Sequence, residues 1–220
     1  MRDKQNVATD FLGKYVDVPP LIVDIEGRLE ADSRLGINIG LEEGLILKSL
    51  CSQPHVEKVV EIGTQYGCSA SWMAMGLRKG AQLYCFEKDP QCLHNAQLTF
   101  SHPQFLELGC SVELIAGPAL ETLFRIEDKG PFDLVFIDAN KKSYPAYLRW
   151  AHAHIRPGGM ILIDNIYLFG SVFGDTCPDK LPLQMWVAMK ETLSLAFSTP
   201  GFQTSILPTQ EGLLVSVRSL

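Results

Sequence analysis

The chain has 220 residues, of which 46% are hydrophobic and 20% are charged, and its formal net charge is −6. This length and composition are those of a globular domain, and they exclude a disordered chain, a collagen-like repeat and a small disulfide-stapled scaffold. The negative charge argues against a dedicated nucleic-acid-binding protein, because such proteins neutralise phosphates with clustered Lys and Arg.

The N-terminal residues 1–52 are predicted to form a helical extension. Pro19 and Pro20 separate a first helix from a second, because proline is tolerated where a helix begins and not in its interior. Apolar residues then recur at helical spacing in two stretches. They are Leu21, Ile22, Ile25 and Leu29 in the first stretch, and Leu45, Ile46 and Leu50 in the second.

From residue 53 onward, short apolar runs alternate with amphipathic stretches, which predicts strands and helices in turn. Because the runs are almost continuously apolar, the strands are expected to be buried on both faces. The predicted strands are Lys58–Ile62, Leu83–Phe86, Val112–Ile115, Leu134–Ile137 and Met160–Ile163, with helices near 68–79, 90–100, 119–126 and 143–154.

A last helix, after residue 182, is predicted to end near Ser198. Two further strands follow, Phe202–Leu207 and Leu213–Val217, and their short connection predicts an antiparallel hairpin. Strand–helix alternation at this spacing predicts an α/β fold with a doubly wound, mostly parallel sheet, here of seven strands. We expect residues 1–220 to form a single domain with 53–220 as its α/β core.

The six cysteines include no CxxC pair, and Cys68 and Cys85 lie inside apolar runs. A thiol in such a place behaves as a small buried hydrophobe. We therefore expect reduced cysteines and a cytoplasmic protein. No N-terminal stretch has the apolar length of a signal peptide, and no apolar run reaches the ~18 residues of a membrane span, so no membrane association is expected.

The turn after the first predicted strand contains Gly63 and Gly67. Open α/β sheets bind ligands outside the carboxyl ends of their strands, and glycine lets the backbone approach a ligand closely. Gln65 breaks the dinucleotide fingerprint GxGxxG, which argues against a pyrophosphate cofactor and a hydride-transfer enzyme. Glu61 repels phosphate and suits a cationic group such as an amine. The plainer alternative is a structural turn with a solvated acid.

Glu87 follows the second predicted strand, where an acid can hydrogen-bond the two hydroxyls of a ribose. Alone this is weak evidence, because many strands end in an acid. Together with the glycine turn and Glu61, it describes a cofactor with a ribose, no pyrophosphate and a positively charged amino-acid end. S-adenosylmethionine is such a cofactor.

Asp138 follows the fourth predicted strand, and Asp164 and Asn165 follow the fifth. Adjacent parallel strands would bring these oxygens together at one sheet edge. Two carboxylates and an amide suit a hard divalent cation, Mg²⁺ first, with Mn²⁺ and Ca²⁺ as alternatives. The plainer alternative is that these residues cap the helices that follow.

Lys141 comes three residues after Asp138, close enough to lean over the same cation. A lysine beside a divalent cation can serve as a general base. The alternative is an ordinary solvated lysine.

These residues together resemble the cation-dependent, S-adenosylmethionine-dependent O-methyltransferases, which include catechol and caffeoyl-coenzyme A O-methyltransferases. The resemblance runs from about Ile37 to the C-terminus. It rests on motifs in matching order: Ile37–Gly40 with Gly44, Glu61–Ser69 with Phe86–Glu87, Ala116–Leu120, Asp138–Tyr144 and Asp164–Val172.

The resemblance implies a Rossmann-like class I methyltransferase fold, O-methylation of an acceptor hydroxyl and a homodimer. It implies cofactor contacts by Ile39, Glu61, Gly63, Gly67, Ser69, Glu87, Gly117, Ala119 and Asp138. It also implies metal binding by Asp138, Asp164 and Asn165, with Lys141 as the general base and Asp138 beside it in the catalytic site.

Three residues depart from the family pattern: Leu168 replaces Trp, Leu45 replaces Gln and Asn140 replaces an acid. All three are expected near the acceptor or at the rim of the site, so they bear on the acceptor rather than on the chemistry. The segment Ile166–Leu183, rich in Gly, Pro and aromatic residues, is expected to form that rim.

The leading interpretation is a small-molecule enzyme whose acceptor is catechol-like or has two neighbouring oxygens. The alternative on the same scaffold is a tRNA hydroxyuridine O-methyltransferase, disfavoured by the net charge. It would need a local basic patch built from Lys141, Lys142, Arg149 and Arg156. A catalytically silent cofactor-binding protein is disfavoured by the intact metal and lysine positions.

Overall fold

The computed structural model describes residues 11–34 and 36–220. Its strands are β1 (Lys58–Ile62), β2 (Gln82–Glu87), β3 (Ser111–Ala116), β4 (Phe132–Ile137), β5 (Ile155–Ile163), β6 (Phe202–Leu207) and β7 (Leu213–Arg218). Its helices are α1 (Pro20–Ala31), α2 (Leu41–Cys51), α3 (Cys68–Gly76), α4 (Pro90–Ser101), α5 (Pro103–Glu107), α6 (Ala119–Thr122), α7 (Tyr144–His154) and α8 (Leu183–Ser198). Short 3-10 helices cover Leu123–Lys129, Lys141–Ser143 and Ser171–Phe173.

The strands form a seven-stranded sheet in the order β3-β2-β1-β4-β5-β7-β6. The pairs β2–β3, β1–β4 and β4–β5 are parallel, and the pairs β5–β7 and β6–β7 are antiparallel. The predicted α/β class, the doubly wound, mostly parallel sheet and the C-terminal hairpin are therefore confirmed. All residues of β4 are buried, as expected for a central parallel strand. The edge strand β3 is different: only Ile115 in it is buried, so burial on both faces was wrong there.

The chain divides into two compact units, residues 1–57 with 64–118 and residues 58–63 with 119–220. The first unit carries α1–α5, β2 and β3. The second carries β1, α6–α8 and β4–β7. Among the described residues, none of the helices has the length and apolarity needed to cross a membrane.

In the first unit, α1 begins at Pro20 and buries the predicted face, Leu21, Ile22, Ile25 and Leu29. The helix predicted before Pro19 lies largely outside the described residues.

Helix α2 does not bury the predicted face. Leu45, Ile46 and Leu50 are only half-buried, whereas Leu41, Leu47 and Cys51 are buried together with Gly44. Trp72 of α3 gives the reason, because a Cβ on Gly44 would lie 2.4 Å from its ring. Close packing on that ring turns the glycine side of α2 inward.

The largest boundary error is in β5, which begins at Ile155 rather than at Met160. The predicted strand left out Pro157, Gly158 and Gly159, but β5 passes through them with a shift of register against β4. The left-handed φ of Gly158, +73°, permits this irregularity. The helix expected at 119–126 continues as a 3-10 helix after Thr122, and α5 was not predicted. All six cysteines are free thiols.

Candidate functional site

The carboxyl ends of β4 and β5 meet in the second unit. Ile137 and Ile163, the last residues of the two strands, are register partners. The backbone N–H of Asp164 donates to the Ile137 carbonyl at 3.0 Å, and that of Asp138 donates to the Ile62 carbonyl at 3.0 Å. The parallel ladder thus continues one residue past each strand and places the two aspartates at the same edge, as predicted.

Asn165 turns the chain away from β5 with a positive φ of 57°. Asparagine tolerates this left-handed conformation better than most residues. The backbone N–H of Asn165 donates to Oδ1 of Asp164 at 2.6 Å, so the turn holds one oxygen of a carboxylate that is only 1% exposed.

Lys141 contacts the residues that follow both strands. Its Nζ lies 2.7 Å from Asp138 Oδ1, 2.6 Å from Asn165 Oδ1 and 2.6 Å from the hydroxyl oxygen of Tyr144. These distances are typical of charge-assisted hydrogen bonds. The solvated-lysine alternative is therefore wrong for Lys141, whose side chain is only 16% exposed, whereas its neighbour Lys142 is exposed.

The capping alternative applies to another residue. Asn140 is the N-cap of the 3-10 helix Lys141–Ser143, and its Oδ1 accepts from the backbone N–H of Lys142 at 3.3 Å. The side chain of Asp138 points instead to Lys141. This local cap fixes the turn that carries Lys141 back over Asp138.

The carboxylates of Asp138 and Asp164 and the amide oxygen of Asn165 are also a fitting donor set for a divalent cation. Two carboxylates, Asp138 and Asp164, outweigh the charge of Lys141, and carboxylate and amide oxygens are the ligands that Mg²⁺ prefers. Asp138 and Asn165 already converge on one positive charge, that of the lysine ammonium. Among the described residues there is no cluster of three or more His, Cys, Asp or Glu side chains, so any such site depends on the amide of Asn165.

The backbone conformation and the close packing at position 63 require a glycine. Its φ is +99°, and a Cβ at this position would lie 2.1 Å from the carbonyl oxygen of Asp138. The sequence suggested that this glycine makes room for a ligand. The structure adds a different reason, which is the close passage of the β1 and β4 ends.

In the first unit, Glu87 organises the backbone around it. Its Oε2 accepts from the N–H of Gln65 at 2.8 Å, and its Oε1 accepts from the N–H groups of Lys88 and Asp89, each at 2.8 Å. Gln65 has a positive φ of 51°, and this bond helps to hold it there. The Glu87 carboxylate therefore has a structural role, which is to stabilise the backbone of the glycine turn.

The other predicted cofactor residues of the first unit lie in or beside this turn and at the edge of β3. Gly67 is the N-cap of α3 with a φ of +84°, and Ser69 lies in the first turn of that helix. The N–H of Gly117, which has a φ of +120°, donates to the Glu87 carbonyl at 2.9 Å. Ile39 is buried just before α2.

The remaining predicted cofactor residues belong to the second unit. Glu61 lies within β1 with 0% exposure, so the solvated-acid alternative is wrong for it. Ala119 is the buried first residue of α6.

The loop after Asn165 has two consecutive left-handed residues that are not glycine, Leu168 with a φ of 47° and Phe169 with a φ of 57°. Leu168 is 1% exposed, so it does not form part of an exposed rim, and its expected place near the acceptor stays a prediction. Phe169 and Phe173 are exposed instead, at 67% and 72%.

The link 208–212 between β6 and β7 holds this loop. The N–H of Ile166 donates to the Gly212 carbonyl at 3.0 Å, and that of Tyr167 donates to the Glu211 carbonyl at 2.9 Å. The Glu211 carboxylate accepts from the N–H of Phe169 at 3.2 Å. The ring of Tyr167 packs on Gly212, where a Cβ would lie 2.8 Å away.

The basic patch that an RNA substrate would need is largely neutralised. Arg149 forms an ion pair with Glu191, and Arg156 forms one with Asp133. With Lys141 held by Asp138, Lys142 is the one member of the proposed patch for which the described residues show no ion pair. In the part of the chain that the structure describes, three of these four cations therefore have an acidic partner.

Sequence reasoning missed the role of Tyr144. Tyr144 is the last residue of the Asp138–Tyr144 motif, and no function was assigned to it from the sequence. In the structure it is 0% exposed and its hydroxyl oxygen contacts Lys141. The signal was its spacing of three residues from Lys141, which places two side chains over each other in a 3-10 helix.

Comparisons with known proteins agree with this architecture. Residues 28–219 match the family model described as O-methyltransferase. The catechol O-methyltransferase of Mycobacterium tuberculosis is 31% identical over 173 residues, which are 79% of this chain and 74% of that protein. The catechol O-methyltransferase of Niastella koreensis is 33% identical over 141 residues, 63% of this chain and 62% of that protein. The crystal structure of an O-methyltransferase from Bacillus cereus in complex with SAH has a TM-score of 0.87 at 25% identity, covering 100% of both chains.

Proposed function

The chain belongs to the O-methyltransferase family, and from that premise we propose that it methylates a hydroxyl of a catechol-like small molecule or of another acceptor with two neighbouring oxygens. The observation that carries the proposal is the amine of Lys141 beside the oxygens of Asp138 and Asn165. A proton acceptor next to a hard-oxygen site suits the deprotonation of a diol. Two relatives that are catechol O-methyltransferases favour the same acceptor class.

The methyl donor in this proposal is S-adenosylmethionine. The Bacillus cereus relative is a complex with SAH, the form that remains after the methyl group has left, and this supports the choice. We assign the donor contacts to the residues predicted from the sequence, which are Ile39, Gly67, Ser69, Glu87 and Gly117 in the first unit and Glu61, Gly63, Ala119 and Asp138 in the second. Glu87 would bind the ribose with the carboxylate capacity that its backbone bonds leave, since a carboxylate offers about four acceptor positions.

We assign the divalent cation, Mg²⁺ first, to Asp138, Asp164 and Asn165. When bound, the cation would lower the pKa of an acceptor hydroxyl and orient its neighbouring oxygen. The exposed rings of Phe169 and Phe173, in the segment Ile166–Leu183, are proposed to contact the acceptor.

The chain's own part in the reaction is to place and deprotonate the acceptor. In its neutral form, Nζ of Lys141 would take the proton of the acceptor hydroxyl. The electron pair left on that oxygen forms the new bond to the methyl carbon, while the carbon–sulfur bond of the donor breaks and its electron pair stays on sulfur. Holding the two reactants in line accounts for much of the rate in such reactions.

A methyl-transfer screen tests the proposal. Purified protein is incubated with radiolabelled S-adenosylmethionine and with catechol, a caffeoyl-coenzyme A ester or bulk tRNA, each with Mg²⁺ or with excess chelator. We expect methylation of catechol or the caffeoyl ester with Mg²⁺ and loss of it with chelator. Preferential methylation of tRNA would contradict the acceptor class, and full activity in chelator would contradict the cation.

We also propose a homodimer. Several apolar side chains ahead of and on α1 are exposed, among them Tyr15 at 73% and Val23 at 54%. Exposed apolar surface of this kind favours a partner. Light scattering at micromolar concentration tests the proposal, because a mass of one chain would contradict it. The cytoplasmic location stays a prediction, to be checked by cell fractionation.

A further inference from the structure

Tyr144 is a buried tyrosine whose hydroxyl faces the candidate site. It is the first residue of α7 and has 0% exposure, and its hydroxyl oxygen lies 2.6 Å from Nζ of Lys141. The inference drawn from it concerns Lys141 and rests on the proposed function.

The direction of the hydrogen bonds around Tyr144 is fixed by the donors available. Its hydroxyl donates to the backbone carbonyl of Asp164 at 3.2 Å. A phenol has a single proton, so the oxygen must act as an acceptor toward Lys141. An ammonium has three protons, and here Asp138, Asn165 and Tyr144 supply one acceptor for each of them.

The three residues that contact Lys141 differ in whether they are also proposed to bind the divalent cation. Asp138 and Asn165 are also proposed ligands of the divalent cation, and oxygens that bind a cation are less available to a lysine. Tyr144 has no such second task. Its ring adds a further attraction, because Nζ lies 4.8 Å from the ring centroid, within the range of a cation–π contact.

The local fold makes this contact a rigid one. Asn140 caps the 3-10 helix Lys141–Ser143, and the backbone N–H of Tyr144 donates to the carbonyl of Lys141. Pro145, in the first turn of α7, fixes the start of the helix that follows. The hydroxyl of Tyr144 is therefore anchored at its own end by both the helix and Asp164.

We propose that Tyr144 is the positioning residue of the general base: its hydroxyl holds the amine of Lys141 toward the acceptor when Asp138 and Asn165 are engaged by the divalent cation. Tyr144 does not itself touch the reacting atoms. Without its hydroxyl, Lys141 keeps its chemistry but loses its fixed direction.

Chemical labelling of lysine tests this without turnover. Trace acetylation followed by mass spectrometry gives the reactivity of Lys141 relative to its exposed neighbour Lys142 in the same molecule. In the wild-type protein we expect slow labelling of Lys141 with and without Mg²⁺. In Tyr144→Phe, which keeps the buried ring, we expect several-fold faster labelling of Lys141 in Mg²⁺ and no change at Lys142. Equal labelling of the two lysines in wild-type protein with Mg²⁺, or no change in Tyr144→Phe, would overturn the proposal.

A double-mutant cycle gives the kinetic test. We expect Tyr144→Phe to lower kcat by about ten- to a hundredfold, the size of a lost hydrogen bond to a charged group, with the KM values of acceptor and donor unchanged. In a Lys141→Met background the same change is expected to have no further effect, because its target is gone. An equal loss in both backgrounds would show a merely structural role and overturn the proposal. If wild-type protein transfers no methyl group at all, the proposed function fails, and the labelling result still decides the contact between Tyr144 and Lys141.

Discussion

The ammonium of Lys141 lies 2.6 Å from the amide oxygen of Asn165, a residue 24 positions further along the chain. One residue comes from the turn after β4 and the other from the turn after β5. The contact therefore reports on the register of the two central strands, and a change at either strand end alters the surroundings of the proposed general base.

The first prediction concerns Lys141 itself. Lys141→Ala is expected to lower kcat by ~10²–10⁴, the usual cost of losing a general base, while the affinity for S-adenosylhomocysteine stays near the wild-type value. Steady-state kinetics and calorimetry are the measurements. Lys142→Ala is the matched control and is expected to be nearly silent, because that side chain is exposed. Equal losses from both lysines would indicate a general electrostatic patch and would favour an anionic acceptor.

Removing a proposed cation ligand is the second prediction. Asp138→Ala is expected to abolish methyl transfer and to weaken Mg²⁺ binding, because one of the two carboxylates of the site is lost. Titration calorimetry with Mg²⁺ and the activity assay check this. Asp128→Ala serves as the control, because that side chain is 75% exposed and belongs to neither the predicted site residues nor the segment Ile166–Leu183. Unchanged Mg²⁺ affinity in Asp138→Ala would contradict the ligand assignment.

Glu87 gives a prediction with two parts. Glu87→Ala is expected to weaken S-adenosylhomocysteine binding by about 1.5–3 kcal/mol, the range for hydrogen bonds to a charged group. It should also lower the free energy of unfolding, because three backbone N–H groups lose their acceptor. Calorimetry and urea denaturation measure the two effects, with the exposed acid Glu113→Ala as control. A lower stability with an unchanged dissociation constant would assign Glu87 to the turn alone.

A fourth prediction separates strain from crowding at Gly63. Gly63→Ala is expected to cost about 1–2 kcal/mol for the positive φ and about 1–3 kcal/mol more for the overlap with the Asp138 carbonyl. Gly201→Ala is the matched control, because its φ is +81° and no atom lies within 4 Å of a Cβ there. Urea denaturation compares the two variants. Equal losses would mean that the chain relaxes around the added methyl group at no cost.

The fifth prediction is a pH dependence of stability. Burial lowers the pKa of His152 from its usual 6.5, and within the described part of the chain Nε2 has no hydrogen-bond partner. Below that pH the unfolded chain takes up a proton that the folded protein resists, so stability is lost as pH falls. His152→Phe can keep the packing against Phe202, whose ring centroid lies 4.3 Å from that of His152. It is expected to flatten the dependence of Tm on pH below about 6.5. The exposed His94→Gln should leave it unchanged.

Much of the fold follows from the sequence because the strand signals are strong and local. The apolar run of β1 and the limits of β6 were predicted to the residue. The errors come from tertiary contacts that no local pattern carries. Gly44 turns α2 onto Trp72, and the irregular pairing of β5 keeps in the strand several residues that the predicted strand left out.

The candidate site divides in the same way. Asp138, Asp164 and Asn165 could be predicted because they directly follow adjacent strands. The hydroxyl of Tyr144 was missed, because its spacing of three residues from Lys141 creates a contact only in a 3-10 turn, which was not predicted. The hydrogen bonds from backbone N–H groups to Glu87 could not be predicted either. The sequence does not show which N–H groups will donate to an acid at the end of a strand.

The hold of Glu211 on the loop around Phe169 has a consequence for engineering. The bond spans 42 positions, so the proposed acceptor rim is not a self-contained module. Replacing the segment Ile166–Leu183 with that of a relative that methylates a different acceptor would exchange the exposed aromatic residues. It would not exchange Glu211, the buried acid that fixes the backbone of this segment. We expect such chimeras to show the acceptor selectivity of the relative when its segment corresponding to 208–212 is transferred together with the rim. We therefore expect substrate choice in this protein to depend partly on the link between its last two strands.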